Sequence, residues 1–149
     1  MHETRRRFLP ALSLCACLLA GCGGGPGEIE ETGNFYPSNI KQGATLDVQV
    51  IRRVTKIDIT NTTAADLPAG KLWLNGWFAR DFPGLPVGEN VTFDLYDFKD
   101  RHGERFKAGG FWATEAPDQL VLAQIETPDP QGGTQLLGLV VIGTTNPER

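Results

Sequence analysis

Short stretches in which apolar and polar residues alternate dominate the middle of the chain. The clearest are 46–50, 57–59 and 91–95, each with an apolar residue at every second position. Because successive side chains of a β-strand point to opposite faces, each stretch predicts a strand with one buried face and one wet face. Helical periodicity is absent throughout the sequence, so we expect an all-β domain.

Turn-forming residues separate these stretches from further apolar ones. Asn75-Gly76 predicts a two-residue hairpin turn because both residues tolerate positive φ. Pro83-Gly84 and the Asp-Pro-Gln-Gly-Gly stretch at 129–133 mark two further loops. About seven short strands in a single domain favour an immunoglobulin-like or fibronectin-III-like β-sandwich, in which Trp73 would take the place of the core tryptophan.

Four of the predicted strands are apolar on both faces. They lie within 71–74, 77–80, 120–126 and 135–142, and they share one sheet in fibronectin-III topology. Since only one face of that sheet can point into a sandwich, the other presents apolar side chains outward, and such a patch is usually a contact site. Three occupants are considered: the chain's own segments, including Phe35-Tyr36; a protein partner or a second copy; and a glycan.

The predicted hairpin supplies the candidate binding residues. A two-residue turn pairs Leu74 with Trp77 and Trp73 with Phe78, so that Leu72, Leu74 and Trp77 share one face. Trp73 lies on the other face, and by analogy with related sandwiches we expect it to be inside and Trp77 to be outside. The candidate binding face is therefore Trp77, Leu72 and Leu74.

The first 22 residues have the pattern of a bacterial export signal. Three arginines at 5–7 precede an apolar run at 8–20 that is too short to span a bilayer. The run ends in Leu19, Ala20, Gly21 and Cys22, which resembles the lipobox of bacterial lipoproteins. That resemblance implies cleavage before Cys22 and a lipid on its sulfur; the alternative is an ordinary secretory signal. All three cysteines of the chain lie in this region, so the mature chain would have neither a free thiol nor a disulfide.

The positive start leaves the export route open. The stretch Thr4-Arg5-Arg6-Arg7-Phe8-Leu9 resembles the twin-arginine motif, although Pro10 stands where that motif usually has lysine. The alternative is a positive start for the unfolded-chain route. Gly23, and not aspartate, follows Cys22, which favours the outer membrane in a cell that has one.

These patterns divide the chain into four parts. We expect a signal peptide at 1–21, a lipidated cysteine with a glycine-rich and acidic flexible tether at 22–44, the sandwich at 45–143, and a tail at 144–149. The layout resembles small uncharacterised bacterial lipoproteins with one immunoglobulin-like or fibronectin-III-like domain. The stretches that carry the resemblance are DITNTTAADL, LWLNGWF and DFKDRHGERF, and they imply a fold and a location in the cell envelope, with no known activity.

Candidate chemistry is sparse. The formal net charge of −4 argues against nucleic acid as a partner and against electrostatic docking on anionic lipid. His102 is the only histidine after Cys22, and Ser38 is the only serine, so we expect no catalytic triad and no zinc site. Four acids remain as a remote calcium alternative: Asp94, Asp97, Asp100 and Glu104. The other interpretation of that stretch is a charged turn between the core residues Phe98 and Phe106, with Gly103 in the left-handed conformation.

The sequence therefore predicts a lipid-anchored, non-enzymatic interaction or scaffold module that faces the periplasm or the exterior and carries no cofactor and no metal. Its expected contacts are the membrane, through Cys22, and an envelope protein. The alternative is a carbohydrate-binding module that uses exposed aromatic side chains of the hairpin.

Overall fold

The computed structural model describes residues 33–143, which form one curled sheet of seven strands. The strands are β1 (Lys41–Arg53), β2 (Lys56–Asn61), β3 (Gly70–Leu74), β4 (Phe78–Phe82), β5 (Asn90–Asp94), β6 (Ala123–Pro128) and β7 (Thr134–Ile142). Over this range there is no α-helix, and one 3-10 turn spans Leu95–Asp97. The prediction of an all-β domain is confirmed. The predicted signal peptide, Cys22 and the tail lie outside the described residues.

The strand order is β4-β3-β6-β7-β1-β2-β5, and every pair is antiparallel except β1 with β7. The four strands predicted to be apolar on both faces are adjacent, as the sequence led us to expect. The sheet curls so that its two edge strands approach each other. The rings of Phe82 in β4 and Phe93 in β5 lie 6.3 Å apart and meet edge to face.

The concave face of the curled sheet encloses the main core. The alternation in β1 and β2 predicts which residues form this face, and the structure confirms it. Four apolar residues of the two stretches are fully buried: Val48, Val50, Ile57 and Ile59. Burial of each such side chain stabilises the fold by about 1.5–3 kcal/mol. Strand β1 begins at Lys41, four positions before the expected start of the domain at 45.

The convex face of β2 and β5 is polar, as predicted for a wet face. The carboxylate of Asp58 accepts hydrogen bonds from Thr92 Oγ1 at 2.7 Å and from Arg53 Nε at 2.9 Å. The bond from Thr92, and to a lesser extent that from Arg53, holds the pKa of Asp58 below its ordinary value. Cross-strand pairs of this kind fix the register of the two strands.

The predicted pairing of the β3–β4 hairpin is wrong by one residue. Asn75 and Gly76 do adopt positive φ, and Trp77 N donates to Leu74 O at 3.1 Å. The strands, however, pair Leu74 with Phe78 and Trp73 with Ala79, which leaves Trp77 outside the ladder. A one-residue shift moves every side chain to the opposite face, so Phe78 packs on the main core instead of sharing the convex face with Trp73.

The strand predicted to begin at 120 begins instead at Ala123. The side chain of Asn75 binds three of the four residues before Ala123: its Nδ2 donates to Gln119 O at 2.7 Å, and its Oδ1 accepts from the amides of Val121 and Leu122. These bonds satisfy backbone groups that a strand would otherwise pair. Asn75 therefore serves both the turn and the start of β6.

Candidate functional site

The predicted binding face of Trp77, Leu72 and Leu74 does not exist as one surface. Leu72 and Leu74 are fully buried in the main core, so assigning them to an exposed face is wrong. The reason is that the curled sheet turns this face of β3 inward. Trp77 is 50% exposed because it stands outside the strand ladder.

Trp73 lies on the convex face, yet only 1% of it is exposed. Tyr36 covers it, with ring centroids 5.4 Å apart and nearly perpendicular planes, and Ile40 packs beside it. Trp73 Nε1 donates to Glu126 Oε2 at 2.8 Å, which satisfies the buried indole. The prediction that Trp73 is buried is confirmed. The prediction that it lies in the main core is wrong, because it belongs to a separate cluster on the convex face.

The cover over Trp73 is fixed by further hydrogen bonds. Tyr36 Oη donates to Gln124 Oε1 at 2.7 Å, and Gln124 Nε2 donates to Gln42 Oε1 at 3.0 Å. Asn34 bridges the segment to the sheet, since it accepts from Lys71 Nζ and donates to Lys99 O. Of the three occupants considered for the apolar convex face, the chain's own N-terminal segment occupies this part.

A shallow groove of about 250 Å³ remains beside this cover. Its lining residues are Asn34, Phe35, Tyr36, Ser38, Gly76, Trp77 and Arg101. Phe35 and Trp77 are both about half exposed, and the guanidinium of Arg101 lies 5.6 Å from the centroid of the Trp77 ring. The groove thus combines flat apolar rings with amide, hydroxyl and guanidinium groups, the combination that fixes and orients small polar ligands.

A second exposed aromatic feature, missed by the sequence reasoning, is the tip formed by Phe111 and Trp112. They are 90% and 88% exposed, and their rings meet edge to face with centroids 4.7 Å apart. They occupy the two central positions of a turn closed by a hydrogen bond from Ala113 N to Gly110 O. The available signal was a pair of adjacent large aromatics directly after two glycines, where turns normally carry small or polar residues.

The base of this tip is held firmly. Arg52 donates through its guanidinium to the carbonyl oxygens of Ala108 and Asp118, and Tyr96 Oη donates to Gly109 O at 2.6 Å. Burial lowers the pKa of Arg52 from its ordinary value, an effect opposed by the charge of Asp118. The tip therefore projects from a fixed base.

Lys107 and Glu115 flank the tip and form an ion pair with Nζ and Oε2 2.6 Å apart. Their mutual hydrogen bond raises the pKa of Lys107 and lowers that of Glu115. Both groups are consequently charged at neutral pH, and their charges offset each other.

The acidic stretch at 94–104 is a set of turns. Asp94 Oδ1 caps the 3-10 turn by accepting from Tyr96 N, and Asp97 pairs with Arg80 at 3.1 Å. Asp100 is buried and accepts from the amides of His102 and Glu104, both at 2.8 Å. Across residues 33–143, no group of three or more histidine, cysteine or acidic side chains lies close enough together to hold a metal ion. The four acids of the calcium alternative therefore do not converge.

The charged turn itself is as the sequence predicts. Phe98 and Phe106 are fully buried on either side of it, and Gly103 has a φ of 80°. The carboxylate of Asp100 thus organises the local backbone.

Comparison of the chain with family models, with curated proteins and with solved structures finds no match. In the part of the chain that the structure describes, no helix is long and apolar enough to cross a membrane. The groove, the tip and the sequence of the export signal are therefore the features of this chain that bear on its function.

Proposed function

We propose that this chain is a lipid-anchored, non-enzymatic interaction module of the bacterial cell envelope, with an immunoglobulin-like sandwich as its body. The strand pairing supports the fold: β1-β2-β5 corresponds to one layer of such a sandwich and β7-β6-β3-β4 to the other. The parallel pairing of β1 with β7 joins the two layers along one side. Contact between Phe82 and Phe93 supports the approach of the layers along the other side.

The observation that carries the function is the exposed Trp77 in its groove. Large aromatic side chains are highly buried on average, whereas the three-residue loop at 75–77 keeps the Trp77 ring outside the strand ladder. Half-exposed aromatics beside an arginine are the residue types enriched at binding hot spots. The groove residues Trp77, Phe35 and Arg101 form the proposed contact with an envelope protein.

Site-specific photo-crosslinking in intact cells tests this contact. A photoreactive residue in place of Trp77 should give a discrete adduct with one abundant envelope protein. The matched control is Val87, which is similarly exposed but lies in the loop before β5, at the opposite end of the strands. Equal adduct patterns at the two positions would contradict a specific contact at the groove.

The lining of the groove favours a glycan as the second candidate ligand. Aromatic rings stack on sugar faces, and Asn34, Ser38 and Arg101 supply polar groups at the same place. Tryptophan emission should change saturably on titration with envelope oligosaccharides. The change should vanish in Trp77→Ala and persist in Trp112→Ala; a response that follows Trp112 would exclude the groove.

The lipid anchor is tested separately from the groove. Cys22→Ala should abolish labelling by a palmitate analogue, because the proposed acceptor sulfur is gone. Retained labelling would overturn the lipobox interpretation.

The export route is tested by replacing Arg5 and Arg6 together with lysine, which keeps the charge. Blocked export of this variant is expected if the arginine pair is recognised, and normal export would leave only a positive start.

A further inference from the structure

Phe111 and Trp112, at the tip, are the most exposed large apolar side chains within residues 33–143. Both side chains stand at the centre of a turn, and the turn projects from a base fixed by Arg52 and Tyr96. Glycines 109 and 110 have φ of 82° and 118°, values that side-chain-bearing residues rarely adopt. An exposed pair of large aromatic side chains held in this way is typical of a contact site.

Other exposed apolar side chains lie at the same end of the sheet. The β1–β2 turn, the β3–β4 turn and the start of β6 all meet there, because β7 runs parallel to β1, β6 runs antiparallel to β7, and β3 runs antiparallel to β6. Val54 and Val121, each 71% exposed, occupy two of these positions. The tip therefore shares its end of the domain with two further exposed apolar side chains, beside the exposed Arg53 and Lys56.

The shape and charge of the tip favour a lipid interface as its occupant. Two aromatic side chains offer roughly 300–500 Å², whereas a stable protein interface needs about 800 Å² on each partner. A bilayer surface needs no complementary pocket, and tryptophan partitions to the headgroup level. No charged residue occurs at 108–114, and the flanking Lys107–Glu115 pair is neutral as a whole. An uncharged lipid surface fits these properties better than an anionic one.

The length of chain before the domain allows this contact. The ten positions between Cys22 and Gly33, the first described residue, span at most roughly 40 Å when extended. That reach exceeds the length of β7, which is about 30 Å for its nine residues. A domain anchored at Cys22 stays close enough for one end to touch the same bilayer.

We propose that the Phe111–Trp112 tip inserts into the interface of a zwitterionic lipid bilayer and forms a second membrane contact beside the lipid anchor. The inference rests on the proposed anchoring for its location. The tip adds a contact that orients the domain, with the end that carries Phe111 and Trp112 toward the lipid.

The experiment uses the full mature protein, purified from its membrane and reconstituted into phosphatidylcholine vesicles brominated near the headgroup. Tryptophan emission is compared for the wild type, Trp112→Phe and Trp77→Phe. We expect bromine to quench the wild type and most of that quenching to be lost in Trp112→Phe. Less should be lost in Trp77→Phe, because Trp77 lies at the same end of the domain but is only half exposed. Trp73 is the internal control, because a buried ring should not be quenched in the folded domain.

Mass spectrometry of the same sample shows whether Cys22 carries lipid, so failure of the anchor is seen apart from failure of the tip. If lipid is absent, the cleaved chain is mixed with the vesicles and its partition coefficient is measured. The partition coefficient of the double variant Phe111→Ser, Trp112→Ser should be lower than that of the wild type by a factor of about ten or more. Quenching that is unchanged in Trp112→Phe would overturn the proposal. So would a dimer in sedimentation that the double variant abolishes, since the tip would then bind a second copy of the chain.

Discussion

Replacement of Trp73 by alanine should destabilise the domain strongly, although Trp73 lies outside the main core. The indole is buried between the sheet and the N-terminal segment, where it packs against Tyr36 and Leu136. It also donates one hydrogen bond to the carboxylate of Glu126. Alanine would remove the packing, the ring contact and the hydrogen bond together.

The expected loss in the free energy of unfolding is about 3–5 kcal/mol, the range for large aromatic side chains removed from buried sites. The edge-to-face contact with Tyr36 accounts for about 0.5–1.5 kcal/mol of it. The hydrogen bond to the Glu126 carboxylate accounts for a further part of the same loss, about 1.5–3 kcal/mol, which is typical of hydrogen bonds to charged groups. Because a small domain has only about 5–15 kcal/mol in total, the variant should be marginally stable.

Urea denaturation of the full chain, followed by circular dichroism, measures this loss by linear extrapolation. Trp73→Phe keeps most of the ring and should cost less, about 1–3 kcal/mol, because it forfeits mainly the hydrogen bond. Trp77→Ala is the matched control and should cost below about 1 kcal/mol, since the ring is half exposed. Losses of equal size at Trp73 and Trp77, or a loss below about 1 kcal/mol at Trp73, would refute the burial argument.

Three further substitutions test other parts of the fold by the same urea assay. Because the pKa of Asp58 is depressed, its bonds stabilise the domain above the ordinary carboxyl pKa of about 4, and this stability is lost as the pH falls below that range. Asp58→Asn should therefore lower the urea midpoint at neutral pH and progressively less in acid; an effect that grows in acid would contradict this sign. Gly70→Ala should cost about 1–3 kcal/mol or more, because a Cβ there would lie 2.0 Å from Glu126 O, whereas Gly143→Ala meets nothing within 4 Å and should be neutral; equal effects would argue against close strand packing. Thr127→Val should raise stability by about 1 kcal/mol, since the buried Thr127 hydroxyl has no hydrogen-bond partner among the described residues, and a loss of that size would reveal a partner.

The local sequence pattern was sufficient to predict most of the strands. In β1, β2 and β5 the apolar residues recur at every second position, and that period alone decides which side chains share a face. The turn at Gly103 and the hairpin at Asn75-Gly76 were also readable, because positive φ is a property of the residue and its immediate neighbours. The predicted lipobox and Cys22 stay predictions, since they lie outside the described residues.

The candidate binding face failed because register is a pairwise property of two strands. One extra loop residue, Trp77, places Phe78 on the core side, and no pattern within either strand records that shift. Leu72 and Leu74 are equally apolar in sequence whether a sheet curls toward them or away from them. The direction of curl depends on all seven strands together.

The all-β class, the strands with one polar face and the main turns follow from the amino-acid sequence, because they depend on backbone preferences and on spacing along the chain. Which apolar residues stay exposed follows from the tertiary structure. Trp73 is covered because Tyr36 folds back over it, whereas Phe111 and Trp112 are uncovered because they stand at the centre of a turn whose base is fixed by Arg52 and Tyr96. Burial depends on neighbours that are distant in the chain, and a pattern of adjacent residues carries no information about them.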